Sequence, residues 1–142
     1  MSVSKLNPYI NYKGQAKEAM EFYKSCLGGT LTSNTFKEGG MSHGPETDNL
    51  IMHSELITDI GMTIMGSDVP PDMDTGAFAE PQSVGLSIGG DNTEELQGYW
   101  DKLTVDGKVT MPYNMAPWGD TFGMFTDKFG INWMINCAGK KA

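Results

Sequence analysis

The chain contains no arginine, so its ten basic residues are all lysines, and they face 18 Asp and Glu for a formal net charge of -8. It therefore lacks the guanidinium fork that grips phosphates and carboxylates through two parallel hydrogen bonds. An acidic surface of this kind repels the nucleic acid backbone and anionic membranes. Composition thus argues against nucleic acid and membranes as partners.

Long apolar stretches and cysteines are also scarce. No run approaches the roughly 18 apolar residues of a membrane-spanning helix, and residues 1–8 lack the apolar core of a signal peptide. The two cysteines, Cys26 and Cys137, lie far apart in the sequence. We interpret them as buried thiols in a reducing compartment, because disulfides are rare there. A cytoplasmic location is the expectation.

The first half of the chain predicts one strand, one helix and three further strands. The predicted strands are residues 7–12, 30–36, 50–58 and 62–66, and the predicted helix is residues 15–27. The helix carries apolar residues at helical spacing on one face, namely Ala16, Ala19, Met20, Tyr23 and Leu27. Gly28 and Gly29 end it. The glycine-rich residues 37–49 form either a lid or a long hairpin connection.

The second half repeats this order after a proline-containing linker at residues 67–82. A helix is predicted at residues 93–105 with Thr93 as its N-cap, and strands at residues 83–88, 108–112, 121–126 and 131–137. An offset of 76 residues takes Tyr23 to Tyr99, and an offset of 69 takes Met65 to Met134. We therefore predict an α+β fold in which residues 1–142 form one domain of two tandem β-α-β-β-β modules, residues 5–66 and 83–138.

Five segments give the chain a family resemblance. They are N-P-Y-I-N-Y-K-G (7–14), E-A-M-E-F-Y-K-S-C-L-G-G (18–29), M-H-S-E-L (52–56), I-M-G-S-D (64–68) and F-G-M-F-T-D-K-F-G-I-N-W-M-I-N (122–136). With the tandem modules, they resemble the vicinal oxygen chelate superfamily of glyoxalase I, bleomycin and fosfomycin resistance proteins and extradiol dioxygenases. The most similar branch is the PhnB-like one, also labelled 3-demethylubiquinone methyltransferase-like. The resemblance implies a glyoxalase/bleomycin resistance-type fold and a homodimer. The methyltransferase label gains no support, because no glycine-rich strand-to-helix turn precedes a suitably spaced acidic residue.

The resemblance also implies where a metal would bind. Metal-dependent members take two ligands from each module, usually His or Glu, at the start of the first strand and in the last strand. Here the first-strand position falls on Asn7 or Pro8 and on Ser83 or Val84, and the last-strand position falls on Met65 and Met134. Thioethers are poor ligands for Mn, Fe(II), Ni or Zn in an oxygen-rich site. We therefore expect no metal and no other cofactor, and methionines that line or plug a cavity.

His53 and Glu55 are the sharpest candidates for chemistry. They lie two apart on a predicted strand and would share a face with Ile51 and Ile57. A carboxylate beside an imidazole could orient it as a general base. The alternatives are a hydrogen-bonded histidine within the sheet or one at a dimer seam. His43, the other histidine, lies in the loop and is a poor candidate ligand.

The last strand and the loop before its hairpin supply the remaining candidates. Asn132, Met134 and Asn136 share one strand face, and Trp133 points toward the helix. The two amides either bind a ligand or satisfy backbone groups. Trp118 closes over a pocket or packs against a partner subunit, with Phe122 following it inward.

These residues lead to two main hypotheses, and a third class is a structural or regulatory dimer with a filled cavity, which no ligand would stabilise. The first is a metal-independent protein that binds a small molecule in an apolar, Met- and Trp-lined cavity. Its ligand-contacting residues would be His53, Met65, Trp118, Phe122, Asn132, Met134 and Asn136. The alternative is a lyase, isomerase or dioxygenase-type enzyme that depends on a metal or on His53 with Glu55.

Overall fold

The computed structural model describes residues 5–74 and 84–139 of the chain. They belong to two compact units, Met1–Glu80 and Pro81–Ala142. Each unit contains one β-α-β-β-β module, which confirms the predicted α+β fold. Residues 75–82 of the predicted linker, and Ser83, lie outside the described residues. Within the described ranges, no helix is long and apolar enough to cross a membrane.

The first module packs one helix on a four-stranded sheet. Its elements are β1 (Tyr9–Tyr12), α1 (Ala16–Leu27), β2 (Thr30–Thr35), the one-turn helix α2 (Pro45–Asp48), β3 (Ile51–Ile57) and β4 (Thr63–Asp68). The sheet order is β1-β4-β3-β2, with β1 parallel to β4 and the other neighbours antiparallel. The predicted apolar face of α1 is confirmed, because all five of its residues are buried.

The second module repeats this arrangement. Its elements are β5 (Gly85–Gly90), α3 (Thr93–Leu103), β6 (Lys108–Met115), β7 (Thr121–Thr126) and β8 (Asn132–Cys137). The sheet order β5-β8-β7-β6, with β5 parallel to β8, matches that of the first module element for element. The strand that ends each module therefore lies beside the strand that begins it.

The tight turn before the last strand is the same in both modules. Gly61 N donates to Thr58 O, and Gly130 N donates to Asp127 O, each at 3.0 Å. Gly61 and Gly130 have φ of +88° and +85°, a conformation that strains residues with a Cβ. The 69-residue offset drawn from the sequence relates these two turns.

The first strands align differently from the prediction. Tyr9 pairs with Met65 and Ser87 pairs with Met134, so the offset between these strands is 78 residues, not 76. Short strands rich in Gly and Ser carry little apolar pattern, and their register is therefore weakly specified by sequence.

The second helix also departs from the prediction. Asn92 caps it instead of Thr93, since the Asn92 side chain accepts a hydrogen bond from Glu95 N at 3.0 Å. Trp100 fills the core, whereas Tyr99 is half-buried and donates to Glu95 Oε1 at 2.7 Å. Tyr23 is fully buried. The predicted equivalence of Tyr23 and Tyr99 is therefore wrong, because Tyr99 does not occupy the core position that Tyr23 occupies. The helix ends at Leu103 and not at residue 105.

Strand β4 extends to Asp68, two residues past the predicted end of the first module. The buried Asp68 carboxylate accepts hydrogen bonds from the backbone N–H groups of Gly14, Ala16 and Ile51, each at 2.9 Å. It thereby ties the β1–α1 turn and the start of β3 to the end of β4. Aspartate is depleted in strands, and the sequence therefore favoured a linker here.

The connection between β2 and β3 is folded and not an open loop. Thr47 of α2 is buried, and its hydroxyl accepts from His43 N at 2.9 Å. The His43 ring pairs with Asp72 at 2.8 Å between Nδ1 and Oδ2, in the turn that follows β4. These contacts favour the long hairpin connection over the lid.

Candidate functional site

Each sheet has one face covered by its own helix and an opposite face, called the open face here. In β8, Trp133, Ile135 and Cys137 are buried, whereas the residues between them are less so. Trp133 is 2% exposed, and its Nε1 donates to Asp127 Oδ2 at 2.8 Å. The alternation places Asn132, Met134 and Asn136 together on the open face, as the sequence pattern indicates.

The open face of the first module carries polar side chains. One row of cross-strand partners runs through Tyr9, Met65, Glu55 and Thr32, and His53 lies in the next row opposite Asn34. Tyr9 Oη lies 3.2 Å from His53 Nδ1, and the two rings are 5.7 Å apart. The structure thus brings Met65, His53 and Glu55 onto one face and adds Tyr9 to them.

Sequence reasoning missed Tyr9, which lies 44 residues from His53. Only the parallel pairing of β1 with β4 brings it there, and no local pattern signals that pairing. Among the described residues, no hydrogen bond or ion pair joins His53 to Glu55. The hydrogen-bonding partner of the His53 ring is Tyr9 instead of the predicted Glu55. The expected His–Glu pair is therefore a Tyr–His pair with Glu55 on the same face.

Ile51 does not share this face as expected. The register shifts where Asn34 pairs with His53 and Thr35 pairs with Ile51, leaving Met52 as the extra residue on β3. Such a bulge interrupts the alternation of side chains. Ile51 is 3% exposed and belongs to the core, whereas Ile57 is 46% exposed.

The open face of the second module carries methionines at the equivalent positions. Met111 pairs with Met124, which pairs with Met134, so three neighbouring strands each contribute one thioether. We call Met111, Met124 and Met134 the methionine row. Ser87 of β5 continues it beyond Met134. Two register irregularities in β6 bring Met111 opposite Met124, and strict alternation along β6 would not have revealed this.

A cavity of about 330 Å³ lies at this face. Its lining consists of Gly85, Thr110, Met124, Phe125, Asn132, Trp133 and Met134. Of the predicted ligand-contacting residues, Asn132 and Met134 therefore line it. Its volume is at the lower end of the range for small-molecule sites.

The remaining predicted residues of the second module form a group beside the row. Phe122 pairs with Asn136 across the strands, and its ring meets Trp118 edge-on at 5.6 Å. Trp118 is 62% exposed. Asn136 Nδ2 donates to Asp120 Oδ2 at 3.0 Å, and Asn132 Oδ1 accepts from Thr126 Oγ1 at 2.7 Å. Both amides thus already have partners within the protein.

A second cavity, of about 350 Å³, lies in the first module. An ion pair of 3.0 Å between Lys13 Nζ and Asp74 Oδ2 lies at its edge, and Leu50, Val69 and Pro71 contribute apolar lining. It contains none of the predicted site residues, and we therefore centre the candidate site on the open faces.

The side chains at the implied metal positions do not fit a hard divalent ion. Met65 lies beside Tyr9 and Met134 lies beside Ser87, so the two neighbouring strands offer a thioether with a phenol or a hydroxyl. Val84, one of the predicted first-strand positions, precedes β5 and is 73% exposed. Across residues 5–74 and 84–139, no three His, Cys, Asp or Glu side chains are grouped as a metal site requires.

Known proteins resemble this chain in fold and sequence. The profile of the Glyoxalase/Bleomycin resistance protein/Dioxygenase superfamily matches residues 5–135. Protein YjdN of Escherichia coli (strain K12) is 29% identical over 137 residues, covering 92% of this chain and 93% of YjdN. The crystal structure of protein PA1353 from Pseudomonas aeruginosa has a TM-score of 0.80 at 31% identity, covering 97% of this chain and all of that one. A Bacillus cereus PhnB protein has a TM-score of 0.70 at 22% identity, covering 95% of this chain and 100% of its own.

Proposed function

The chain belongs to the glyoxalase/bleomycin resistance protein/dioxygenase superfamily, and on that premise we propose that it binds an apolar small molecule without a catalytic divalent metal. The methionine row carries this proposal. Where metal-dependent members use a carboxylate in the last strand, this chain has Met134, and Met124 and Met111 extend the apolar surface across the sheet. Flexible thioether side chains adapt to irregular apolar ligands.

The cavity at the row supports a ligand of modest size. Its volume of about 330 Å³ is enough for a small ring system. Because Asn132 bonds Thr126 and Asn136 bonds Asp120, the amides are positioned and could orient polar atoms at the ligand's edge. Trp118 and Phe122 supply aromatic surface beside Asn136, the cross-strand partner of Phe122.

The neutral fluorescent probe N-phenyl-1-naphthylamine tests the proposal. We expect its fluorescence to rise on binding one site per chain, and binding to weaken at least roughly tenfold in Met134→Gln, which places an amide in the apolar lining. Met115→Gln is the matched control, since Met115 lies on β6 outside the cavity lining and is 76% exposed. Equal binding by wild type and Met134→Gln would place the probe elsewhere and contradict the proposal.

Metal independence needs its own measurement. The protein treated with EDTA is titrated with Mn, Fe(II), Co, Ni, Zn and Mg while its melting temperature is followed, with elemental analysis of the protein as purified. A ligand that binds the folded state raises the melting temperature by linkage. Since we expect none of these ions to bind, the melting temperature should not rise with metal concentration. A response at one divalent ion per chain would overturn the assignment of Met65 and Met134 to vacated ligand positions.

A second candidate function rests on the Tyr9–His53 contact. An imidazole held at 3.2 Å by a phenol on an open sheet face, with Glu55 in the neighbouring row, is placed to exchange a proton with a bound substrate. Glyoxalase-type and dioxygenase-type assays of wild type and His53→Ala test it. Turnover that the variant lacks would favour an enzyme, and the absence of turnover in both would favour the binding protein.

We also infer a cytoplasmic homodimer, since members of the superfamily are commonly dimeric and both cysteines are buried, as is typical of cysteines in a reducing compartment. The exposed Trp118 is the candidate for a partner contact. Light scattering of wild type and Trp118→Ala tests it. A dimer that Trp118→Ala weakens supports the inference, and a monomeric wild type contradicts it.

A further inference from the structure

The three thioethers of the methionine row suggest a second kind of ligand. Thioethers are soft donors, which bind Cu(I) and its redox-inert analogue Ag(I) in preference to hard divalent ions. We propose that Met111, Met124 and Met134 together form a binding site for a soft monovalent cation, Cu(I) or Ag(I). This inference goes beyond the binding of an apolar molecule and does not depend on it.

The cross-strand register supplies the geometry. Met124 lies on β7 between Met111 on β6 and Met134 on β8, and each is a direct partner of Met124. Strands in a sheet are roughly 4.8 Å apart, and the Cβ atoms of direct partners are separated by about 5 Å. A methionine sulfur lies two bonds beyond its Cβ, so the outer side chains can lean over the middle strand. A three-sulfur site above Met124 is therefore within reach without moving the backbone.

The burial of the row suits an ion that arrives from outside. Met124 and Met134 are half-buried and line the cavity, and Met111 is 46% exposed. The core on the opposite face is filled by Leu96, Trp100, Ile135 and other residues, so these thioethers are not needed there as packing. A cation can thus reach Met124 and Met134 from the cavity and Met111 from the exposed surface of β6.

The neighbouring groups favour thioethers as the ligands. The Asn132 amide oxygen is engaged by Thr126, and the buried Cys137 thiol lies on the helix-facing side of β8. Within residues 5–74 and 84–139, no group of three His, Cys, Asp or Glu competes as a site. The formal charge of -8 favours the approach of any cation.

Silver titration of protein labelled with ¹³C at the methionine methyl groups tests the proposal in chloride-free buffer. We expect the methyl signals of Met111, Met124 and Met134 to shift together and to saturate at one Ag(I) per chain. Assignments come from Met→Leu variants. The methyl readout separates this site from Cys26 and Cys137, whose thiols also bind silver.

Single Met→Leu substitutions provide the affinity test, because leucine keeps the apolar volume and removes the sulfur. Removing a residue that only hydrogen-bonds a metal ligand already lowers metal affinity about tenfold. Removing a ligand itself, as in Met124→Leu or Met134→Leu, should therefore weaken Ag(I) binding at least roughly tenfold. Met115→Leu, on the same strand as Met111, should bind as wild type does.

Two outcomes would overturn the site. In the first, the methyl signals of Met111, Met124 and Met134 do not shift at one equivalent of Ag(I), and any bound silver is on the thiols. The other is wild-type Ag(I) affinity in both Met124→Leu and Met134→Leu.

Discussion

The open faces of the two modules carry opposite chemistry at equivalent positions. Glu55 and Met124 each pair with the methionine of the last strand, Met65 in one module and Met134 in the other. In the adjacent row, His53 corresponds to Phe122 through the same 69-residue offset. Apart from the methionine of the last strand, which both share, one sheet therefore presents ionisable groups and the other presents further thioethers and an aromatic ring. The repeat preserves backbone pairing and leaves the open-face side chains free to differ.

The two modules also place their buried carboxylates differently. In the first, Asp68 ends β4 and accepts three backbone hydrogen bonds, whereas its counterpart in the second module is Cys137. In the second, Asp127 opens the β7–β8 turn and accepts from two backbone N–H groups and an indole, whereas its counterpart is Thr58. A buried carboxylate therefore stabilises the end of the last strand in the first module and the turn before the last strand in the second.

The largest effect is expected when Asp68 is removed. Asp68→Ala leaves the N–H groups of Ala16 and Ile51 buried without their acceptor, and each such group costs about 1–3 kcal/mol. It also removes the acceptor of the part-buried Gly14 N–H. We expect the free energy of unfolding to fall by about 3–5 kcal/mol. Chemical denaturation measures the loss, and hydrogen exchange of these three amides locates it.

Asp68→Asn and Cys137→Ala are the matched controls. Asn retains an oxygen for Gly14 and Ala16, which both bond Oδ1, and loses only the bond from Ile51 to Oδ2. It should therefore cost less than half of the alanine effect. Cys137→Ala, at the equivalent strand end, should cost only about 1 kcal/mol. Equal losses at positions 68 and 137 would contradict the asymmetry of the modules.

The next largest effect compares how tightly the two cores pack against a strand glycine. A Cβ on Gly123 of β7 would come within 2.7 Å of the Trp100 ring and 2.8 Å of Tyr113 Cα. A Cβ on Gly66 of β4 would meet Ile10 O, Met20 Sδ and Tyr12 Cε2, each at 3.3 Å. These contacts are tight but less severe than those at Gly123, and a shift of a few tenths of an ångström would relieve them. We expect Gly123→Ala to destabilise by about 1–3 kcal/mol and Gly66→Ala by less than about 1 kcal/mol, as measured by urea denaturation.

Adding Trp100→Phe checks the cause of that loss. The smaller ring removes the indole atoms that the new Cβ would meet, so the double variant should lose less than the sum of the two single losses. Strict additivity would mean that the clash with Tyr113 Cα, and not the indole, sets the cost.

Sequence alone predicted the module order because its signals are local. Helical spacing in α1 and the glycines of the two tight turns fix element types and turn positions within a few residues. Register and long-range contacts were not predictable in this way. The bulge at Met52 and the irregularities of β6 depend on the neighbouring strand, and the Tyr9–His53 contact depends on sheet order. The candidate site was therefore only partly anticipated, through Met134 and its strand neighbours.

The smallest effect concerns Tyr113, which has no aromatic counterpart in the first module. It is half-buried and stacks on Trp100 with ring centroids 5.0 Å apart, whereas Ser33 takes the equivalent place beside the β2–β3 pair. Burial, together with the Cys137 thiol, raises the pKa of Tyr113 above its usual range. The folded protein therefore holds the phenol proton more tightly than the unfolded chain does.

The sign of the pH dependence follows from that raised pKa. The stabilisation is fully present below about pH 10, where the tyrosine of an unfolded chain keeps its proton, and is lost as pH rises through the folded-state pKa. Urea denaturation on either side of this value should thus show a steeper alkaline loss for wild type than for Tyr113→Phe, which has no phenol to ionise. Identical slopes would mean that Tyr113 ionises as freely in the folded protein as in the unfolded chain. A steeper slope confined to wild type would instead assign part of the alkaline sensitivity to the second module.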